Sequence, residues 1–175
     1  FLVLLGIVDI DPNDPITLCH RSLPYIFVAC ATSRTIASAA AFASLPGPEG
    51  LAEPRGVACA PDGRIWVADF GHDRIVRFEP GLLSPVAFGR KGRGRAEFQQ
   101  PSALAIGADG RVFLADTWNA RIQVLSPEGK WLAELTADLV GPRGVATDRK
   151  GRVLVSDTGN GRIVVFGTDG KVEKE

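Results

Sequence analysis

The chain of 175 residues has no methionine, two histidines, three cysteines and no excess of charge of either sign. Each shortage excludes something. Three cysteines in this length do not make a disulfide-framework miniprotein. His20 and His72 are too few for a three-histidine zinc site. Twenty Lys and Arg against twenty Asp and Glu give a formal net charge of zero, which argues against nucleic-acid binding driven by long-range attraction. The imbalance is local and mild: residues 1–53 carry two Arg against five acidic residues. No apolar run approaches the roughly 18–20 residues of a membrane-spanning helix. The opening Phe1 to Val8 stops at Asp9 and lacks the basic flank of a secretory signal. The missing initiator Met predicts either a removed leader or a piece of a longer chain, and leaves a cytoplasmic and an exported location equally open. What the chain has in quantity is turn-formers, 20 Gly and 12 Pro, with 45% hydrophobic residues. That describes a globular chain full of turns.

The turns recur in register. Pro54-Arg55-Gly56-Val57-Ala58, Asp62-Gly63-Arg64-Ile65-Trp66-Val67-Ala68-Asp69 and Arg74-Ile75-Val76 form one unit. Pro101 to Ala105, Asp109 to Asp116 and Arg121 to Val124 form a second, and Pro142 to Ala146, Lys150 to Asp157 and Arg162 to Phe166 a third. The units are spaced by 47 and 41 residues, with the difference confined to connecting loops. A degenerate copy stands 39 residues upstream, where Pro15, Ile26-Phe27-Val28-Ala29 and Ile36 align but Cys30 replaces the recurring Asp and Thr35 the recurring Arg. A fixed period of about 40 residues is the mark of a repeat architecture.

Inside each unit the signals are β. Short β-branched and aromatic runs are separated by Pro61-Asp62-Gly63, Phe70-Gly71-His72-Asp73 and Glu79-Pro80-Gly81. No segment sustains a 3.6-residue apolar period; Ala37 to Ala43 has helical propensity, but the repeat places it on an outer strand. Four short antiparallel strands per unit predict an all-β chain built of β-propeller blades. The expected organisation is an N-terminal strand over 1–14, a degenerate unit over 15–53, and full units over 54–100, 101–141 and 142–175.

The motifs Pro-x-Gly-Val-Ala, Asp-Gly-Arg-(Ile/Val)-x-Val-(Ala/Ser)-Asp and Asn-x-Arg-Ile, with the linker Phe88 to Pro101, resemble NHL repeats. The resemblance is clearest over residues 54–170. It implies a propeller, typically six-bladed, so about four units leave a ring incomplete. Either Phe1 to Ile10 completes the last blade, whose fourth strand should begin near Gly170, or the ring closes through more chain or a second copy. The resemblance also implies three functional classes: a protein-binding scaffold, a propeller enzyme of lactonase or lyase type, and an RNA-binding face. The first is the main expectation.

Residues that recur in every unit are expected to hold the fold, because a catalytic group is needed once. Asp69, Asp116 and Asp157 end the second strand, and Arg74, Arg121 and Arg162 follow five residues later. They are expected to pin the turn between them. His72, Asn119 and Asn160 are expected turn-formers, placed there because Asn tolerates positive φ. Cys19, Cys30 and Cys59 lie on expected strands with no metal-binding spacing. No catalytic constellation, metal site or cofactor is predicted. The one singular feature is Arg90, Lys91, Arg93 and Arg95 in a single linker, with Phe70 and Trp118 as nearby stacking candidates. As a site it would take an acidic protein or peptide partner, or RNA backbone; the bland expectation is a flexible, solvated link.

Overall fold

A computed structural model describes residues 50–80 and 83–175. The expected 1–14 strand, nearly all of the degenerate unit, His20, Cys19, Cys30 and the Ala37–Ala43 stretch lie outside the described residues.

Among the described residues are twelve strands in three four-stranded antiparallel sheets. Blade A contains β1 (Pro54–Cys59), β2 (Ile65–Asp69), β3 (Arg74–Glu79) and β4 (Leu83–Phe88). Blade B contains β5 (Pro101–Ile106), β6 (Val112–Asp116), β7 (Arg121–Leu125) and β8 (Trp131–Leu135). Blade C contains β9 (Pro142–Thr147), β10 (Val153–Asp157), β11 (Arg162–Phe166) and β12 (Val172–Lys174). Each sheet is a simple meander. The innermost strands β1, β5 and β9 lie side by side. Among the described residues no helix is long and apolar enough to cross a membrane.

The first turn of each blade is set by local chemistry. Gly63, Gly110 and Gly151 stand at φ of 85°, 80° and 79°, where an L side chain is strained. The Asp62 and Asp109 carboxylates accept from the amide two residues on, at 3.0 and 3.1 Å. Blade C has Lys150 in that place, and Asp148 takes over, accepting from the Lys150 and Arg152 amides at 2.8 and 3.0 Å.

The blades are held together by apolar residues that alternate between faces, since successive strand residues point to opposite sides of a sheet. Trp66, Ala68 and Ile75 of blade A meet Val112, Leu114 and Leu125 of blade B around Phe98. In the same register, Phe113, Ala115 and Ile122 of blade B meet Val153, Val155, Val164 and Phe166 of blade C. Central strands are therefore apolar on both faces, and β2 and β6 are buried throughout. Full burial of one such large side chain is worth roughly 1.5–3 kcal/mol. Ile163, which repeats Ile75 and Ile122, is 52% exposed on the far side of blade C. Cys59, half-buried at the end of β1, packs against the cluster of Ile65, Val67, Val76 and Phe78.

Blade C departs from the sequence reading at its end. Its fourth strand is already present as β12, paired with β11 through Val165–Lys174 and Phe166–Val172. The outer place in this blade is taken by its own chain, and Phe1–Ile10 lie outside the described residues.

The inner strands also carry a repeated irregularity. Pairing shifts between Pro54 and Gly56, between Pro101 and Ala103, and beside Pro142 and Gly144. Arg55, Ser102 and Arg143 are the extra residues of these bulges, which turn a side chain out of the ladder. Immediately after the first bulge, Gly56 approaches blade B so closely that a Cβ would lie 2.7 Å from the Ala103 Cα and 3.1 Å from the Leu104 nitrogen. At Gly144 a Cβ would instead meet the Ser156 hydroxyl at 2.6 Å, a group that can rotate away. Gly56→Ala is expected to cost about 1–3 kcal/mol through overpacking, clearly more than Gly144→Ala. Urea unfolding of both variants measures the difference, and equal costs would contradict the close approach of β1 to β5.

Candidate partner-binding face

One constellation is built three times at the end where the linkers enter the blades. Asp69, Asp116 and Asp157 are fully buried. One carboxylate oxygen of each accepts a linker amide, from Ala52, Gln99 and Val140, at 2.7 Å in every blade. The other oxygen accepts from the Arg five residues on: Arg74 Nε at 2.6 Å, Arg121 Nε at 3.0 Å and Arg162 Nε at 2.9 Å. It also faces His72 Nδ1 at 2.9 Å, Asn119 Nδ2 at 2.9 Å and Asn160 Nδ2 at 2.8 Å. Each guanidinium then reaches a linker carbonyl, Gly50, Gly94 or Ala137, at 2.6, 2.7 and 2.6 Å. A buried carboxylate must be paired and hydrogen-bonded to be tolerated. Here every carboxylate oxygen has a partner.

His72, Asn119 and Asn160 close a short 3-10 turn, but the positive φ falls on the next residue, at Asp73 (52°), Ala120 (55°) and Gly161 (63°). The Asn residues are there for their side chains. Besides the Asp, Asn119 donates to the Gly92 carbonyl at 2.7 Å and Asn160 to the Asp138 carbonyl at 2.9 Å.

Blade B breaks the pattern, and its departures gather in one place. Its entering linker, residues 89–100, is longer than the 136–141 linker into blade C. The link is not a loose solvated segment. The Phe98 ring is fully buried in the A–B core, and its amide donates to the Arg90 carbonyl at 2.8 Å while its carbonyl accepts from Gly92 at 3.0 Å. Glu97 accepts from Arg90 Nη2 at 2.7 Å and from the Gly94 amide at 2.9 Å. The Arg90 hydrogen bond and then the Gly94 amide hold the Glu97 carboxyl below its ordinary pKa.

Gln123 is the residue that sequence reasoning missed. It stands where the other units have Val76 and Val164, and it is fully buried. Its Nε2 donates to the Glu97 carbonyl at 2.6 Å and to Asp116 at 3.0 Å, and its Oε1 accepts from the Ala96 amide at 3.0 Å. The available signal was a polar amide in an otherwise apolar strand. Trp118 is the second departure. It occupies the place of Gly71 and Gly159 and is 63% exposed. At both glycines a Cβ would crowd the linker, with the Ala52 oxygen at 2.9 Å and the Val140 oxygen at 2.7 Å. Ser102 and Thr117 are the third, a buried hydroxyl pair at 2.7 Å whose Thr117 Oγ1 also donates to the Pro142 carbonyl of blade C at 2.9 Å.

The six proposed contact residues fall into different situations. Arg90 is tied to Glu97, Lys91 lies 3.8 Å from Asp73, and the Arg95 guanidinium sits 4.4 Å from the centre of the Trp131 ring. Arg93 alone joins Trp118, lining with Asn119, Ala120 and Arg121 a concavity of about 280 Å3. Phe70 does not belong with them: it is 6% exposed, and Arg55 covers its ring at 3.3 Å. Among the described residues no group of three His, Cys, Asp or Glu side chains is arranged to hold a metal.

Gln123→Val restores the residue of the other repeats yet strips the linker of its clamp. It is expected to destabilise by about 1–3 kcal/mol, because the Ala96 amide loses its acceptor and the Glu97 carbonyl keeps only Arg121 Nη2, at 3.1 Å. Amide exchange should quicken at Ala96 while β6 and β10 stay protected, and unchanged exchange there would refute the clamp. The carboxylates predict an acid limit as well. Burial pushes the Asp157 carboxyl up, but hydrogen bonds from Val140, Asn160 and Arg162 outweigh it and hold the group below its ordinary value. A depressed pKa stabilises fully above the unfolded value, near pH 4, and that contribution is lost as pH falls through the folded value. Unfolding free energy should therefore drop in acid, with a shallower pH slope in Asp157→Asn.

Three segments, residues 51–78, 98–125 and 139–166, match the NHL repeat. Over 100 residues, the chain is 32% identical to the chloroplastic protein SUPPRESSOR OF QUENCHING 1 of Arabidopsis thaliana. That stretch is 52% of this chain and 10% of the plant protein, so the chain spans about a tenth of that relative. Among solved structures it is similar to a streptogramin B lyase (TM-score 0.63, 19% identity, 75% of this chain and 42% of that one). A Staphylococcus aureus virginiamycin B lyase, catalytically inactive and with quinupristin, gives TM-score 0.61 at 21% identity, covering 74% and 42%. A chain of a nidogen/laminin complex gives 0.56 at 22%, covering 68% and 47%. This chain spans less than half of each, and at these identities the likeness is one of fold. With three matched repeats folding as three successive four-stranded blades, the chain belongs to the NHL-repeat family of β-propellers.

Proposed function

We propose that this chain is a non-enzymatic binding module, and that the linker face of blade B docks a protein or peptide partner. The observation that carries the reading is Trp118, a 63%-exposed indole standing where both other repeats have glycine. Large exposed aromatics on rigid supports are the usual anchors of protein interfaces. The support here is rigid for stated reasons: Phe98 buries the linker, Gln123 and Arg121 clamp it, and Ser102 and Thr117 fasten the turn to blade C. A preorganised face loses less entropy on binding.

The lyase or lactonase reading draws on fold likeness, and fold does not carry chemistry with it. The recurring Asp residues among the described residues are consumed by linker amides and guanidinium groups. Selection of displayed random peptides on the immobilised chain tests the binding reading. Enriched peptides should bind at least about 30-fold more weakly to Trp118→Ala, the loss typical of a hot-spot aromatic. The melting temperature should be unchanged, since the indole is exposed. No enrichment, or binding indifferent to Trp118, would remove this face from consideration.

A further inference from the structure

We propose that the concavity beside Trp118 takes an acidic peptide segment, its carboxylates held by Arg93 and Arg143 and an apolar side chain or prolyl ring laid on the indole. The inference rests on the binding reading above and adds the chemistry of the partner.

Among the described residues, two cationic side chains of this face have no counter-charge within ion-pair distance. The exposed Arg93 side chain makes no ion pair or hydrogen bond among the described residues, whereas the Arg90, Lys91 and Arg95 side chains of the same linker are engaged with Glu97, Asp73 and Trp131. Arg143 is the bulge residue of β9. Its equivalents are both occupied: Arg55 lies over Phe70, and Ser102 is bonded to Thr117. In blade C the place of Phe70 is taken by Thr158, which offers no ring, and the Arg143 side chain is exposed and unpaired.

Arg93 lines the Trp118 concavity itself, whereas Arg143 stands across the seam between blades B and C, its backbone fastened beside the Trp118 turn. Arg143 comes from blade C, where its backbone carbonyl accepts from Ser102 Oγ at 3.2 Å, and that Ser102 oxygen lies 2.7 Å from Thr117 Oγ1. Trp118 is the next residue. An uncompensated pair of guanidinium groups with an indole suits carboxylates spaced by apolar residues.

The same arrangement suits nucleic acid poorly. A phosphate backbone is tracked by a continuous cationic groove. Here Glu97 within the basic linker and Asp73 from the turn of blade A occupy two of its four cations, and the chain as a whole is neutral.

The test titrates the chain with a short synthetic peptide alternating Glu and Pro, with its Gln–Pro counterpart, and with oligouridine. Trp118 is the reporter, because Trp66 is 1% exposed and Trp131 lies beneath Arg95. The Glu peptide should bind with a blue shift of emission and weaken with salt, and the Gln peptide should bind about tenfold more weakly. Arg93→Ser and Arg143→Ser should each weaken the Glu peptide by about threefold to fivefold. Both side chains are exposed, so folding is not at stake. Equal binding of the Gln peptide, indifference to both arginines, or binding of oligouridine in place of the Glu peptide would overturn the proposal. If displayed peptides selected through Trp118 are neutral, the binding reading stands and the acidic one falls. If no peptide of any charge binds, both fall.

Discussion

A buried carboxylate is the constraint on which this architecture depends. An ionised Asp in an apolar blade is tolerable only when each oxygen has partners. In all three blades the partners come from two separate stretches of chain: a backbone amide of the entering linker, and the Arg opening the third strand. Satisfying the charge therefore fixes where the linker enters, where the turn ends and how the two central strands are offset. Apolar packing then has a frame in which residues such as Ile75 and Ile122 meet the next blade in constant register.

Most of this frame was legible in the residues, because a repeat prints each physical requirement three times. Pro-Asp-Gly and Asp-Gly turns, alternating β-branched strands and the Asp–Arg spacing each pointed to one unit of antiparallel strands. Blade C shows where the print is faint. Its fourth strand is only Val172–Lys174, with all three residues exposed, so no apolar alternation announced it. Its first turn lost the aligned Asp to Lys150, and the compensating Asp148 came from a different place in the turn.

The candidate site was legible in outline and obscure in its working parts. Four cations in one linker are visible by composition, but composition cannot say which are already paired. Only the fold brings Glu97 to Arg90, Asp73 to Lys91 and Trp131 to Arg95, and so leaves Arg93 apart. Phe70 looked available for the same reason, until the bulge at Arg55 placed a guanidinium over its ring. Gln123 gave the weakest signal of all, one polar residue in a strand, because its three partners are 7 to 27 residues away.

The 3-10 turns hold one more consequence. In each blade the middle residue of the turn contributes only its backbone, donating to the linker from Gly71 to Ala52, from Trp118 to Gln99 and from Gly159 to Val140. The blade asks nothing of that side chain except that it not collide with the linker. In blades A and C the linker lies close enough to demand glycine; in blade B, whose entering linker is longer than that of blade C, the slot accepts the largest residue there is. The position is thus a display socket whose permission is set by how closely the entering linker approaches it. A scaffold of this kind can acquire or lose a recognition group without disturbing a single buried bond.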